Sequence, residues 1–148
     1  MACRGGLSAI VVALGMVVGV AQADGLEAYC PALKWVLRAP PGDPRVQVID
    51  VSRGITPLAT LQRPRRGRVL AVEVQVASRQ VWVLADDGLD VHDAFNGRLL
   101  GHWPVPAGAR LDHLVAAGDG RLMALGGVHA YVPERGGLVP VVAPLRQR

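Results

Sequence analysis

Residues 81–97 read Val-Trp-Val-Leu-Ala-Asp-Asp-Gly-Leu-Asp-Val-His-Asp-Ala-Phe-Asn-Gly. An apolar run, 81–84, and an alternating one, 89–93, flank Asp86-Asp87-Gly88, and Asn96-Gly97 closes the stretch. Leu89 and Val91 alternate with Asp90 and His92, a spacing of two that belongs to a strand. The Asp/Asn-Gly separators supply turn chemistry, because a short polar side chain bonds nearby backbone and Gly accepts positive φ. The stretch therefore predicts a β-hairpin followed by a second reversal.

The pattern recurs on either side. Upstream, Lys34-Trp35-Val36-Leu37 matches the first run, and Val46-Gln47-Val48-Ile49-Asp50-Val51-Ser52-Arg53-Gly54 matches the second. In this alignment Trp35 corresponds to Trp82, and Asp50 stands 43 residues before Asp93. Downstream, Leu122 to Leu125 and Val128 to Gly136 repeat the outline 39 residues on, with Val132 in place of the aspartate. The shared Asp-x-x-x-Gly reads as a turn device: the carboxylate accepts turn N–H groups and the Gly turns the chain. A catalytic or metal role for Asp50 and Asp93 is the weaker reading.

A period of about 40 residues with up to four short strands per unit is the spacing of a propeller blade. The expected strands lie near 34–38, 45–51 and 57–62, then near 69–77, 80–86, 88–94 and 98–103, then near 111–117, 121–126, 128–132 and 138–143. The fold class is all-β, built of consecutive four-stranded antiparallel blades. Only Gly25 to Leu37 allows a helical period. The segments Val-x-Val-x-Asp-x-x-x-Gly at 46–54 and Leu-x-Val-x-Asp-x-x-x-Gly at 89–97 resemble the β-propeller repeats of quinoprotein-like and YVTN-type periplasmic proteins. That resemblance spans roughly residues 34 to 143 and implies a fold rather than an activity. No recognisable set of pyrroloquinoline-quinone ligands accompanies it, so no cofactor is expected.

Eleven strands make about two and three-quarter blades, whereas a closed propeller needs about four to eight. An incomplete ring leaves edges and faces open to association. The chain then pairs head to tail into about six blades, docks on a larger protein, or folds back as an irregular sandwich or barrel. An isolated open array ranks last, because terminal repeats need polar caps and Val139 to Leu145 is apolar.

The chain has 148 residues, 51% hydrophobic and 19% charged, with 18 Gly and 11 Pro. That apolar fraction excludes a disordered chain, and the Gly and Pro supply disfavours a helical bundle. Residues 1–23 read as a secretory signal: Arg4, an apolar run from Leu7 to Val20, then Ala21-Gln22-Ala23 as the cleavage site. The run is shorter than the ~20 residues that span a bilayer, so no membrane anchor is expected after cleavage. Residues 24–33 form an N-terminal segment and 34–148 the repeat domain. The expected location is periplasmic or secreted. Cys30 is the only cysteine beyond the signal, so no internal disulfide and a buried, unreactive thiol are expected.

Lys+Arg total 16 against 12 Asp+Glu, and Lys34 is the only lysine. Arg63, Arg65, Arg66 and Arg68 crowd one link between strands. They read first as a solvated loop, and second as a site binding an anion or an acidic partner through guanidinium forks. Six aromatic residues and an exported chain disfavour nucleic acid. Asp86, Asp87, Asp90, His92 and Asp93 share one hairpin, but alternation sends Asp90 and His92 to one face and Leu89, Val91 and Asp93 to the other. They cannot all converge on a metal, and a polar outer face is expected. Asp112 adjoins His113 but points to the opposite face if both lie in a strand, and no Ser, Thr or Cys sits in a nucleophile motif. No catalytic constellation results. The sequence reads as an exported, non-catalytic binding or assembly module, with an accessory subunit or truncated relic of a quinoprotein-like periplasmic oxidoreductase as the alternative.

Overall fold

A computed structural model describes residues 25–43, 45–61, 63, 67–117 and 119–141. The expected signal, Arg65 and Arg66 lie outside them. The described residues form twelve strands and no helix. Strands β1 (Leu26–Cys30), β2 (Trp35–Ala39), β3 (Val46–Asp50) and β4 (Thr56–Leu61) make the first sheet. The second contains β5 (Val69–Gln75), β6 (Gln80–Ala85), β7 (Gly88–Asp93) and β8 (Leu99–Pro104). The third contains β9 (His113–Ala116), β10 (Leu122–Gly126), β11 (His129–Glu134) and β12 (Gly137–Pro140). Each sheet is an antiparallel meander in chain order, and none closes into a barrel. The all-β class and the consecutive four-stranded blades are as expected.

The first sheet corrects the strand count. Leu26–Cys30 is a strand paired with Trp35–Ala39, so this sheet is complete and begins before residue 34. The helical alternative for Gly25 to Leu37 falls with it. Ala28 and Cys30 point into the core while Glu27 and Tyr29 point away, an alternation of two. Cys30 is fully buried and is not a free cysteine, which corrects its reading as a lone thiol.

The first strands of successive sheets meet, β1 against β5 and β5 against β9, and the last strands β8 and β12 also touch. This side-by-side order is propeller-like. One core lies between the first and second sheets, with Leu37, Val46 and Val48 against Val72, Val74 and Val81. Another lies between the second and third, with Trp82, Leu84 and Leu89 against Leu122, Ala124 and Leu138. The second sheet is thus covered on both faces. That is why β6 reads Gln-Val-Trp-Val-Leu-Ala with no polar alternation, whereas β3 reads Val-Gln-Val-Ile-Asp.

The repeated turn is built as its sequence implies. Asp50 Oδ1 accepts the Ser52 N–H at 2.7 Å, and Asp93 Oδ1 accepts the Phe95 N–H at 2.8 Å. The bond from Ser52 holds the Asp50 carboxyl below the usual carboxylate range. Gly97 has φ 74°, and a Cβ there would stand 2.5 Å from the Thr60 carbonyl oxygen. Only glycine satisfies both demands.

The tryptophans are less equivalent than they look. Trp35 pairs with Asp50, but Asp93 pairs with Gln80, so Gln80 and not Trp82 takes the place of Trp35. The preceding residues confirm this register: Lys34 and Arg79 both have φ 55°, and their carbonyls accept the Val51 and Ala94 N–H groups respectively. The aspartates mark the repeat correctly, and the tryptophans are offset by two.

Candidate functional site

Two places carry chemistry or an unmet surface: a buried ionic cluster between the first two sheets, and the outer face of the third sheet. The cluster begins on β7. Cross-strand pairing sets Asp90 beside Val83 and His102, and His92 beside Val81. All of these face the first sheet, while Leu89 and Val91 face the third, as alternation requires.

Asp90 is 1% exposed and His92 fully buried. The expectation of a polar outer face is therefore wrong: the second sheet has no outer face, because a neighbour covers each side. Arg63 reaches into this layer from the link after β4, and its side chain is fully buried. Its Nε donates to Asp90 Oδ2 at 3.1 Å, one Nη to the Gly67 carbonyl at 2.8 Å, and the other to Asp87 Oδ1 at 3.4 Å. The other Asp90 oxygen accepts His102 Nδ1–H at 2.5 Å. One carboxylate thus joins an arginine and a histidine, which is how a buried charge is tolerated.

The arginine loop is accordingly divided. Arg63 is not part of a solvated loop, since internal carboxylates occupy its guanidinium. Arg68 is exposed, so anion contact from the described part of this loop falls to Arg68.

His92 Nδ1–H donates to the Gly97 carbonyl at 3.2 Å, and its Nε2 is buried without a hydrogen-bond partner. Burial pushes the His92 pKa below the ordinary imidazole value of 6.5, outweighing the Gly97 bond and Asp90, which act to raise it. The unfolded chain therefore binds a proton at higher pH than the folded one. Stability from the neutral ring is fully present above pH 6.5 and lost as pH falls through the folded value. We expect the urea midpoint to drop between pH 7.5 and pH 5, and the drop to shrink in His92→Gln. Equal drops in both proteins would show that His92 does not set this slope.

His102 Nε2 is also buried without a partner, but its ring is oriented only by Asp90. His113 corrects an expectation: its Nδ1 lies 2.6 Å from Asp112 Oδ1. Asp112 precedes β9, so strand alternation does not separate the two. Both are exposed. Among the described residues, no three His, Cys, Asp or Glu side chains are grouped to hold a metal. Ser52, Thr56, Thr60 and Ser78 are exposed.

The second place is found by comparing equivalent positions. Each sheet has a forward face, turned toward the next sheet in chain order, and a rear face. On the first two sheets the forward positions are Leu37, Ala39, Val46 and Val48, then Trp82, Leu84, Leu89 and Val91; all eight are buried. The matching positions of the third sheet are Met123, Leu125, Ala130 and Val132, equally apolar but only half-buried. Val139 continues this face from β12 opposite Val132 and is exposed. No sheet of the described residues packs on it.

The rear face of the first sheet differs in kind. Glu27 and Arg38 pair across β1 and β2, where the second sheet has Val72 and Val83. They form an ion pair at 2.6 Å, with half of the arginine side chain exposed. One end of the stack thus has a cap formed by this ion pair and Gln47, set among Tyr29, Val36 and Ile49, and the other a face that is apolar at its centre. Sequence reasoning caught the apolar Val139 but not the face, whose register appears only once the sheets are aligned.

Compared with known proteins, the chain matches no family model and no curated protein.

Proposed function

We propose that the protein is an exported, non-catalytic binding and assembly module that works outside the cytoplasm by presenting the forward face of its third sheet to another protein surface. The observation that carries this reading is the quartet Met123, Leu125, Ala130 and Val132: apolar like its eight buried counterparts, and without a covering sheet among the described residues. Contiguous apolar surface of this kind marks an interaction site. Export rests on the signal-like residues 1–23.

A second reading, accessory subunit or truncated relic of a periplasmic quinoprotein-like oxidoreductase, draws support from the Val-x-Val-x-Asp-x-x-x-Gly resemblance. In that reading the covering surface belongs to a larger propeller. A dehydrogenase or cytochrome gene beside the coding sequence favours it.

The assembly reading is tested by sedimentation velocity on the chain purified after export. The expected result is a species heavier than one chain at tens of micromolar. A compact monomer across the whole concentration range contradicts it.

A further inference from the structure

We infer that the surface covering the third sheet is the third sheet of a second copy, the two forward faces meeting across a two-fold axis. This rests on the assembly reading above and specifies its partner and its mode. The alternative self-assembly is head to tail, with the third sheet of one copy on the first sheet of the next, as a six-bladed ring requires.

The polar cap decides between them. Head-to-tail packing buries Glu27 and Arg38 under a face whose apolar centre offers neither a hydrogen bond and whose polar groups, His113 and Glu134, stand only at its edges. Withdrawing that pair from water carries a desolvation penalty of several kcal/mol per ion, returned only by excellent geometry and further partners. Self-pairing of the third sheets covers apolar side chains with apolar side chains and leaves the Glu27–Arg38 cap in water. It also gives the isologous two-fold contact that dominates among soluble dimers.

The charges near the face raise no obstacle. His113 lies on it opposite Leu125 and is paired with Asp112, Arg121, in the turn before β10, is paired with Asp119, and Glu134 adds a carboxylate two residues beyond Val132 on the same side of β11. Two copies therefore do not confront each other with patches of one sign.

The face is small, about 19 Å across four strands and about 17 Å along five residues, so two copies cover on the order of 650 Å² together, below the range of stable interfaces. A weak, transient dimer that forms at tens of micromolar or above is expected.

The test uses sedimentation velocity on the wild type and three single variants, with far-UV circular dichroism as the check on folding. Leu125→Glu and Met123→Lys are each expected to raise the dissociation constant on the order of 100-fold, because each buries an unpaired charge at the centre of the contact. Two substitutions of opposite charge guard against one failing to fold. Val36→Glu, on the capped rear face, is expected to leave the dimer unchanged, and mixing it with Leu125→Glu restores nothing beyond its own dimer. Loss of the dimer in Val36→Glu, or recovery of a mixed dimer from two monomeric variants, overturns the two-fold pairing in favour of head-to-tail assembly and leaves the assembly reading standing. A wild-type chain that is monomeric throughout overturns both.

Discussion

Replacing Asp90 with alanine is expected to remove a large part of the protein's stability at room temperature. The Arg63 guanidinium has no exposed surface, and Asp90 is the nearest carboxylate to it, with Asp87 farther away at 3.4 Å. Without Asp90 the arginine is a buried charge short of its main partner, and His102 loses the acceptor that orients its ring. Breaking a buried pair from one side costs about 3–5 kcal/mol. A domain of this size has roughly 5–15 kcal/mol in total. The loss comes from the orphaned cation rather than from the pair's net strength, so removing both partners is expected to be milder. Arg63→Met combined with Asp90→Leu should recover most of the stability that Asp90→Ala loses, read as the urea midpoint. A single variant within about 1 kcal/mol of wild type, in the range of exposed pairs, would show that the cluster is hydrated and not the buried joint described above.

The second large effect separates two leucines at equivalent positions. Leu84 is fully buried between the second and third sheets, whereas Leu125 occupies the same place on the third sheet and is half-buried. Leu84→Ala removes a fully packed side chain and leaves a cavity in a layer closed on both sides, at a cost of about 2–5 kcal/mol. Leu125→Ala opens no closed cavity in the single chain and is expected to cost less than about 1.5 kcal/mol in dilute solution. At high concentration its cost should rise, because the dimer supplies the missing cover. Denaturation curves at two protein concentrations read both numbers. Similar losses at the two sites in dilute solution would mean that the third sheet's forward face is covered within one chain.

Much of the architecture is legible in the sequence because it is written in local chemistry. The Asp50 and Asp93 turns depend on residues two to four positions away, so spacing alone reveals them. Strands β5 to β12 follow from short, largely apolar runs bounded by Gly, Pro and Asp, valine-rich in β5 and β6 and without valine in β8 and β10. Strand β1 escaped because Leu-Glu-Ala-Tyr-Cys is short and mixed, and its identity depends on pairing with Trp35–Ala39. The tryptophan offset was invisible for a different reason. A slip of two keeps a side chain on the same face of a strand, so hydrophobic pattern cannot detect it.

The ionic cluster lay beyond reach of any spacing argument. Arg63 is 27 residues from Asp90, and His102 is 12 from it. Alternation placed Asp90 and His92 together correctly, yet it could not say that another sheet would cover their face. Polar residues at every second position usually mark solvent, and here they mark the joint between two blades. The contrast between the polar and apolar ends of the stack likewise needs the register of all three sheets.

Amide hydrogen exchange, followed residue by residue at low and high protein concentration, tests the central claim most directly. A stack whose middle sheet is covered on both sides and whose third sheet pairs with a twin predicts the slowest exchange in β6 and β7. It also predicts protection in β10 and β11 that grows with concentration, while β1 and β2 stay unchanged. Exchange in β6 as fast as in β1, or protection that grows in β1 and β2 instead of β10 and β11, contradicts it.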